Sequence, residues 1–189
     1  MIDPTIAARI KLVGFDVDGV LTDAGVYTGM SGTEQVELKR FDIQDGVGIR
    51  LLRESGMKVA IVSGRISRAT TLRAQELEVD ELHQNDDGQK LAGFEDLLVR
   101  NDLQWEQAAF VGDDLPDLPL LTRVGLPIAV HNAVQEVRDV AQYITKADGG
   151  RGAVRDFIEA LLRARGEWDA AVARYVNDRG GVAKVTSAS

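Results

Sequence analysis

Three acids stand close together in LVGFDVDGVLTDAG: Asp16, Asp18 and Asp23, directly after the apolar run 12–15. Ionised carboxylates are costly to bury unless a partner compensates them. A divalent cation is such a partner, and magnesium favours a few carboxylates completed by water and substrate phosphate. With the charge neutralised, a strand-end carboxylate such as Asp16 can attack phosphorus, and a second acid two residues on, Asp18, can protonate the leaving oxygen and then activate water. Gly19 lets the backbone turn tightly beside a phosphate. Taken alone, such a D-x-D pair also serves to begin a turn or cap a helix.

A second acidic cluster, GDDLPDLP at 112–119, follows another apolar run and supplies Asp113, Asp114 and Asp117. Asp113 is the candidate metal ligand, with Asp114 and Asp117 placed to orient it or its waters. Helix capping by Asp114 and a favourable first-turn charge at Asp117 are the competing structural readings. Ser63, in VSGR, ends a third run, where its hydroxyl and nearby N–H groups can bind phosphate oxygens. An ordinary turn serine is the alternative. Lys90 opens a helical pattern after the polar loop NDDGQ, where a cation works against the helix dipole. An anionic ligand would explain it, and a surface lysine is the plain alternative.

The elements that must position these residues alternate along the chain. KLVGFD (11–16), KVAIVS (58–63), QAAFVG (107–112), LPIAV (126–130) and QYIT (142–145) read as strands. Helical spacing runs through 47–55, 67–77, 90–101 and 117–124, with Asp45 as a cap before the first of these and Gly56 as its stop. A further helix is expected over 153–165, and more helix over 168–176. This alternation predicts an α/β fold, doubly wound, with a mostly parallel sheet and helices on both faces. Ligands in such sheets bind outside the carboxyl ends of the strands, where Asp16, Ser63 and Asp113 all fall. The stretch 25–41 reads instead as a projecting β-hairpin around the Gly-rich GMSG. An isolated hairpin is marginal in water, so it needs a packing partner.

The 189 residues suit one domain rather than two. We expect that domain over 1–166 and a C-terminal extension over 167–189, partly helical and then flexible. A formal charge of −8 argues against a broad nucleic-acid-binding face. There are no cysteines, which fits a reducing cytoplasm and excludes thiolate metal sites. MIDPTIAARIK lacks the apolar centre of a signal peptide, and no run approaches the roughly 18 apolar residues of a membrane span. A soluble, cytoplasmic protein without a membrane partner is expected.

The order D-x-D, Ser, Lys, G-D-D resembles the haloacid dehalogenase superfamily of phosphohydrolases, over about residues 10–165. The resemblance implies a Rossmann-like fold and a magnesium-dependent phosphatase. Asp16 would be the nucleophile, forming an aspartyl-phosphate. Asp18 would be general acid and base, would touch substrate, and would offer its backbone carbonyl to the metal. Asp16 and Asp113 would bind magnesium through their side chains, and Ser63 and Lys90 would hold phosphate. The hairpin ending in ELKRFDIQDGVGIRLL and the late GGRGAVRDFIEALL are similar to the branch that acts on phosphorylated sugar acids. That branch implies an eight-carbon sugar acid destined for lipopolysaccharide, and a homotetramer whose hairpins pack together in place of a large cap domain. Gly64 and Arg65 beside the phosphate site, and Arg151 in GGRG, are the candidate substrate contacts; a surface salt bridge at Arg65 and a solvent-facing arginine at Arg151 are the alternatives. A nine-carbon substrate, or a non-catalytic oligomeric role, are the rival functions. The chain departs from the family pattern before Lys90, where HQNDDGQK is one residue longer than the usual YQGxxxK.

Overall fold

The structure, a computed structural model, describes residues 1–182; the end of the expected flexible tail, 183–189, lies outside the described residues. Six strands form one sheet: β1 (Leu12–Phe15), β4 (Lys58–Ser63), β5 (Glu81–Gln84), β6 (Ala108–Gly112), β7 (Leu126–Ala129) and β8 (Tyr143–Ile144). Their spatial order is β5-β4-β1-β6-β7-β8, and every pairing is parallel. β1 therefore sits at the centre, and the winding direction reverses between β1 and β6. That reversal opens the crevice where ligands bind in doubly wound sheets.

The central strands are covered on both faces, which is why they read as continuous apolar runs. On one face pack α1 (Pro4–Arg9), α2 (Ile43–Glu54), α7 (Ala153–Ala164) and α8 (Trp168–Asn177), with α3 (Arg68–Glu76) beside α2. On the other lie α4 (Lys90–Arg100), α5 (Leu118–Leu121) and α6 (Gln135–Val140). Phe94 of α4 meets Phe110 of β6 edge-on with ring centroids 5.6 Å apart, and Phe157 of α7 meets Phe15 of β1 at 6.4 Å. Fully burying such side chains stabilises by about 1.5–3 kcal/mol each, so both layers are held to the strands that end at the site.

Between β1 and α2 the inserted structure is the expected hairpin, β2 (Tyr27–Ser31) with β3 (Glu34–Leu38). Its turn is Gly32–Thr33, so Gly29 to Ser31 are strand rather than loop. The expected cap of α2 is also corrected. Asp42, not Asp45, caps α2, its side chain accepting the Gln44 N–H at 2.8 Å. Asp45 lies inside the first turn, buried, and accepts the Arg155 N–H at 2.8 Å. It thereby supplies α7 with the cap that Gly152, without a side chain, lacks. The short α1 and α6 and the edge strand β5 add elements beyond those expected. The stop at Gly56 is as anticipated: its φ is 83°, the left-handed conformation that ends many helices. In the C-terminal extension, α8 packs on α2 and α7 with Trp168 and Ala171 buried.

Candidate active site

Asp16 continues the sheet one residue past β1: its N–H donates to the Val111 carbonyl of β6 at 3.0 Å. Its carboxylate is buried and forms an ion pair with Lys90 Nζ. The chain then leaves in a wide turn over Val17–Leu21, where Gly19 has a φ of 104°. A Cβ on Gly19 would fall 2.0 Å from Asp113 Oδ2, so only glycine lets the β1 turn lie against the tip of β6.

Asp113 and Asp114 follow β6. Asp117 binds back to them, its Oδ2 accepting the N–H of Asp113 at 3.0 Å and of Asp114 at 3.5 Å. The other oxygen, Oδ1, accepts from Lys90 Nζ at 2.7 Å. Both Asp117 oxygens are thus engaged, an arrangement suited to orienting the cluster. Asp114 is exposed and accepts the Leu115 N–H at 2.8 Å, as a cap of the turn that follows. One oxygen from each of Asp16, Asp113 and Asp117 lies within 4.8 Å of the others. This all-oxygen donor set fits a hard divalent cation such as magnesium.

The electrostatics agree with that fit. Burial pushes the Asp16 carboxyl up to about 7, Asp117 adds to the rise, and Lys90 opposes it. Burial raises Asp113 further, to about 8, with Asp16 and Asp117 adding repulsion. Lys90 is itself pulled down by burial, but Asp16 and Asp117 outweigh that and hold it above the ordinary lysine range. One lysine leaves this group of acids under-compensated. A bound cation would favour their charged forms.

Lys90 enters from the first turn of α4, across the loop with the extra residue. Gln89 N–H donates to Asp87 Oδ1 at 2.8 Å, Asp87 N–H donates to Asn85 Oδ1 at 3.3 Å, and the lysine still reaches both carboxylates. Beside it is the tip of β4. Ser63 is buried, its Oγ accepting the Arg65 N–H at 3.2 Å, and a Cβ on Gly64 would lie 3.5 Å from Lys90 Cε. Asp18 Oδ2 lies 3.6 Å from a guanidinium nitrogen of Arg65, two residues past Ser63. Arg151 lies apart from this group. It pairs with Asp23 at 3.6 Å and its side chain is 61% exposed, although its loop rests on the β1 turn, a Cβ on Gly149 falling 1.6 Å from the Gly19 carbonyl oxygen.

The structure adds two residues, both from the hairpin. Lys39 Nζ lies 2.6 Å from Asp18 Oδ1, and Glu37 accepts from the Ser67 hydroxyl at 2.6 Å and pairs with Arg65 at 3.0 Å. Their signal in the sequence was the two-residue spacing in ELK, which puts both on one face of a strand.

Residues 81–158 match the haloacid dehalogenase-like hydrolases, the class to which this fold and site correspond. The 3-deoxy-D-manno-octulosonate 8-phosphate phosphatase of Escherichia coli K12 is 42% identical over 165 residues, 87% of this chain and 86% of that protein. The phosphatase of the same name from Moraxella catarrhalis, crystallised with magnesium, phosphate and the sugar acid, superposes with a TM-score of 0.84 at 37% identity, covering 91% and 97% of the two chains. The Yersinia pestis phosphatase gives 0.82 at 40% identity, covering 88% of each. The chain belongs to the haloacid dehalogenase-like hydrolases and, among them, to the family of these sugar-acid phosphatases.

Proposed function

We propose that the protein is a magnesium-dependent phosphomonoesterase that converts 3-deoxy-D-manno-octulosonate 8-phosphate to the free sugar acid and phosphate, for lipopolysaccharide synthesis. The observation that carries the mechanism is the buried Asp16–Lys90–Asp117 ion triad, with an Asp113 oxygen within 4.8 Å of those of Asp16 and Asp117. The likeness to the named phosphatases supports the substrate.

In this reading Asp16, Asp113 and the backbone carbonyl of Asp18 hold magnesium, and Asp117 and Asp114 keep that end of the site in place. When bound, the ion would neutralise charge between the two anions. A carboxylate oxygen of Asp16 attacks phosphorus, the bond from phosphorus to the sugar oxygen breaks, and protonated Asp18 gives its proton to that oxygen. Water then loses a proton to Asp18 and attacks the aspartyl-phosphate, which releases phosphate and restores Asp16. Ser63 and Lys90 hold the phosphoryl oxygens through both steps, so positioning and charge supply most of the benefit. Gly64 leaves room beside Lys90, Arg65 turns to the substrate carboxylate, and Arg151 reaches substrate from a neighbouring subunit.

The same reading makes the protein a homotetramer. Tyr27 and Leu38, directly paired across the hairpin, are 61% and 65% exposed, an apolar surface that a hairpin-to-hairpin contact would cover. No helix among the described residues is long and apolar enough to cross a membrane. A phosphorylated sugar acid does not cross a bilayer unaided, and we place the enzyme with it in the cytoplasm. Phosphate release from eight- and nine-carbon sugar-acid phosphates and an aryl phosphate, with magnesium and with chelator, tests the proposal. It predicts magnesium-dependent turnover with the eight-carbon ester preferred. No release from any ester would overturn it.

A further inference from the structure

Lys39 stands at the foot of an exposed hairpin, yet its side chain has no exposed surface. A buried ammonium must be paired, and two carboxylates pair it: Asp18 Oδ1 at 2.6 Å and Glu37 Oε1 at 3.8 Å. Arg65 completes a ring of alternating charge, 3.6 Å from Asp18 Oδ2 and 3.0 Å from Glu37 Oε2. The Ser67 hydroxyl, donating to Glu37 Oε1, ties the ring to the start of α3.

The two halves of the Asp18 carboxyl are therefore unequal. Oδ1 receives a short, charged hydrogen bond from Lys39, whereas Oδ2 faces only a longer contact, 3.6 Å, to the half-exposed Arg65, whose hydrogen bond goes to Glu37 instead. Lysine carries only donors, so an oxygen that accepts from it is a poor place for a carboxyl proton along the same line. The proton is left to Oδ2.

We infer that Lys39 is a positioning residue for the acid step: by fixing Asp18 Oδ1 it directs Oδ2, and the proton on it, toward the leaving oxygen. This rests on the assignment of Asp18 as general acid. The hairpin thus has a part in the chemistry of its own chain, in addition to any contact it makes with another subunit.

Alkyl and aryl phosphates separate this role from others. A sugar alkoxide leaves only with a proton, whereas p-nitrophenolate leaves without one, and kcat/KM covers the steps through its departure. Lys39→Met is expected to lower kcat/KM for the sugar-acid phosphate by about 30-fold or more, and the ratio of alkyl to aryl kcat/KM by at least about tenfold, within the range of general-acid contributions. Lys39→Arg should restore most of that ratio, and melting curves check that both variants fold. Adding Lys39→Met to Asp18→Asn should change the alkyl rate no further, since the group it positions is gone. An equal loss on both esters, or a loss confined to KM for the sugar acid, would overturn the inference. Wild-type protein that hydrolyses neither ester would instead overturn the phosphatase reading itself.

Discussion

Gly19 of the β1 turn and Asp113 at the tip of β6 are in contact so close that a single methyl group at residue 19 would overlap the Asp113 carboxylate, 2.0 Å from Oδ2. Two strand ends thus share one wall of the site, and the contact depends on a backbone with a φ of 104°. Gly19→Ala is expected to cost about 1–3 kcal/mol from the backbone alone. It should also displace Asp113, so that magnesium no longer raises the melting temperature as it does for the wild type. Calorimetry with and without the ion measures both effects.

Lys90 is the ammonium between two buried carboxylates. Replacing it by Met would leave Asp16 and Asp117 without their shared partner, and breaking a buried pair from one side costs about 3–5 kcal/mol. A cation bound by Asp16 and Asp113 supplies part of the missing charge. Denaturant unfolding of Lys90→Met should therefore show a large loss of stability in chelator and a smaller one in magnesium, with turnover lost in both.

Asp45 gives a pH-dependent prediction remote from the metal. Burial lifts its carboxyl from 3.8 to about 6, partly opposed by the Arg155 N–H it accepts. A folded value above the unfolded one means that the folded state holds the proton longer. Stability from this group is therefore full below about 4 and declines as the pH rises toward 6, by at most about 3 kcal/mol. Asp45→Asn keeps an oxygen for the α7 cap and removes the titration. Its unfolding midpoint should change less than that of the wild type between pH 4 and 7, and parallel curves would disprove the account of Asp45.

The hairpin surface predicts the assembly. Tyr27→Asp combined with Leu38→Asp puts charge on the apolar pair that faces away from the Glu37 side of the hairpin. Light scattering should report a tetramer for the wild type and a smaller species for the double variant. A wild-type monomer would reject the tetramer.

Much of this architecture was legible in the sequence because parallel strands buried on both faces must be apolar throughout. β1, β4, β6 and β7 were found on that ground. β5 escaped because it is the sheet edge, and ELHQ there is at most half-buried and reads as polar. Asp42 and Asp45 are equally good capping residues by type. A contact with Arg155, far away in the chain, decides which one faces solvent and which the interior. Asp16, Ser63, Lys90 and Asp113 stand out because each sits where an apolar strand stops or a helix starts. Lys39 does not: the spacing in ELK puts it on one strand face with Glu37, but its contact with Asp18 depends on where the hairpin folds back, which that spacing does not specify.

The covalent route through Asp16 is the centre of the account. Acid quenching during turnover, followed by peptide mass mapping, tests it most directly. The peptide containing Asp16 should gain the mass of one phosphoryl group in the wild-type enzyme, and Asp16→Asn should fold, show no adduct and show no turnover. An unmodified peptide under conditions that build up the intermediate, together with substantial activity in Asp16→Asn, would contradict it.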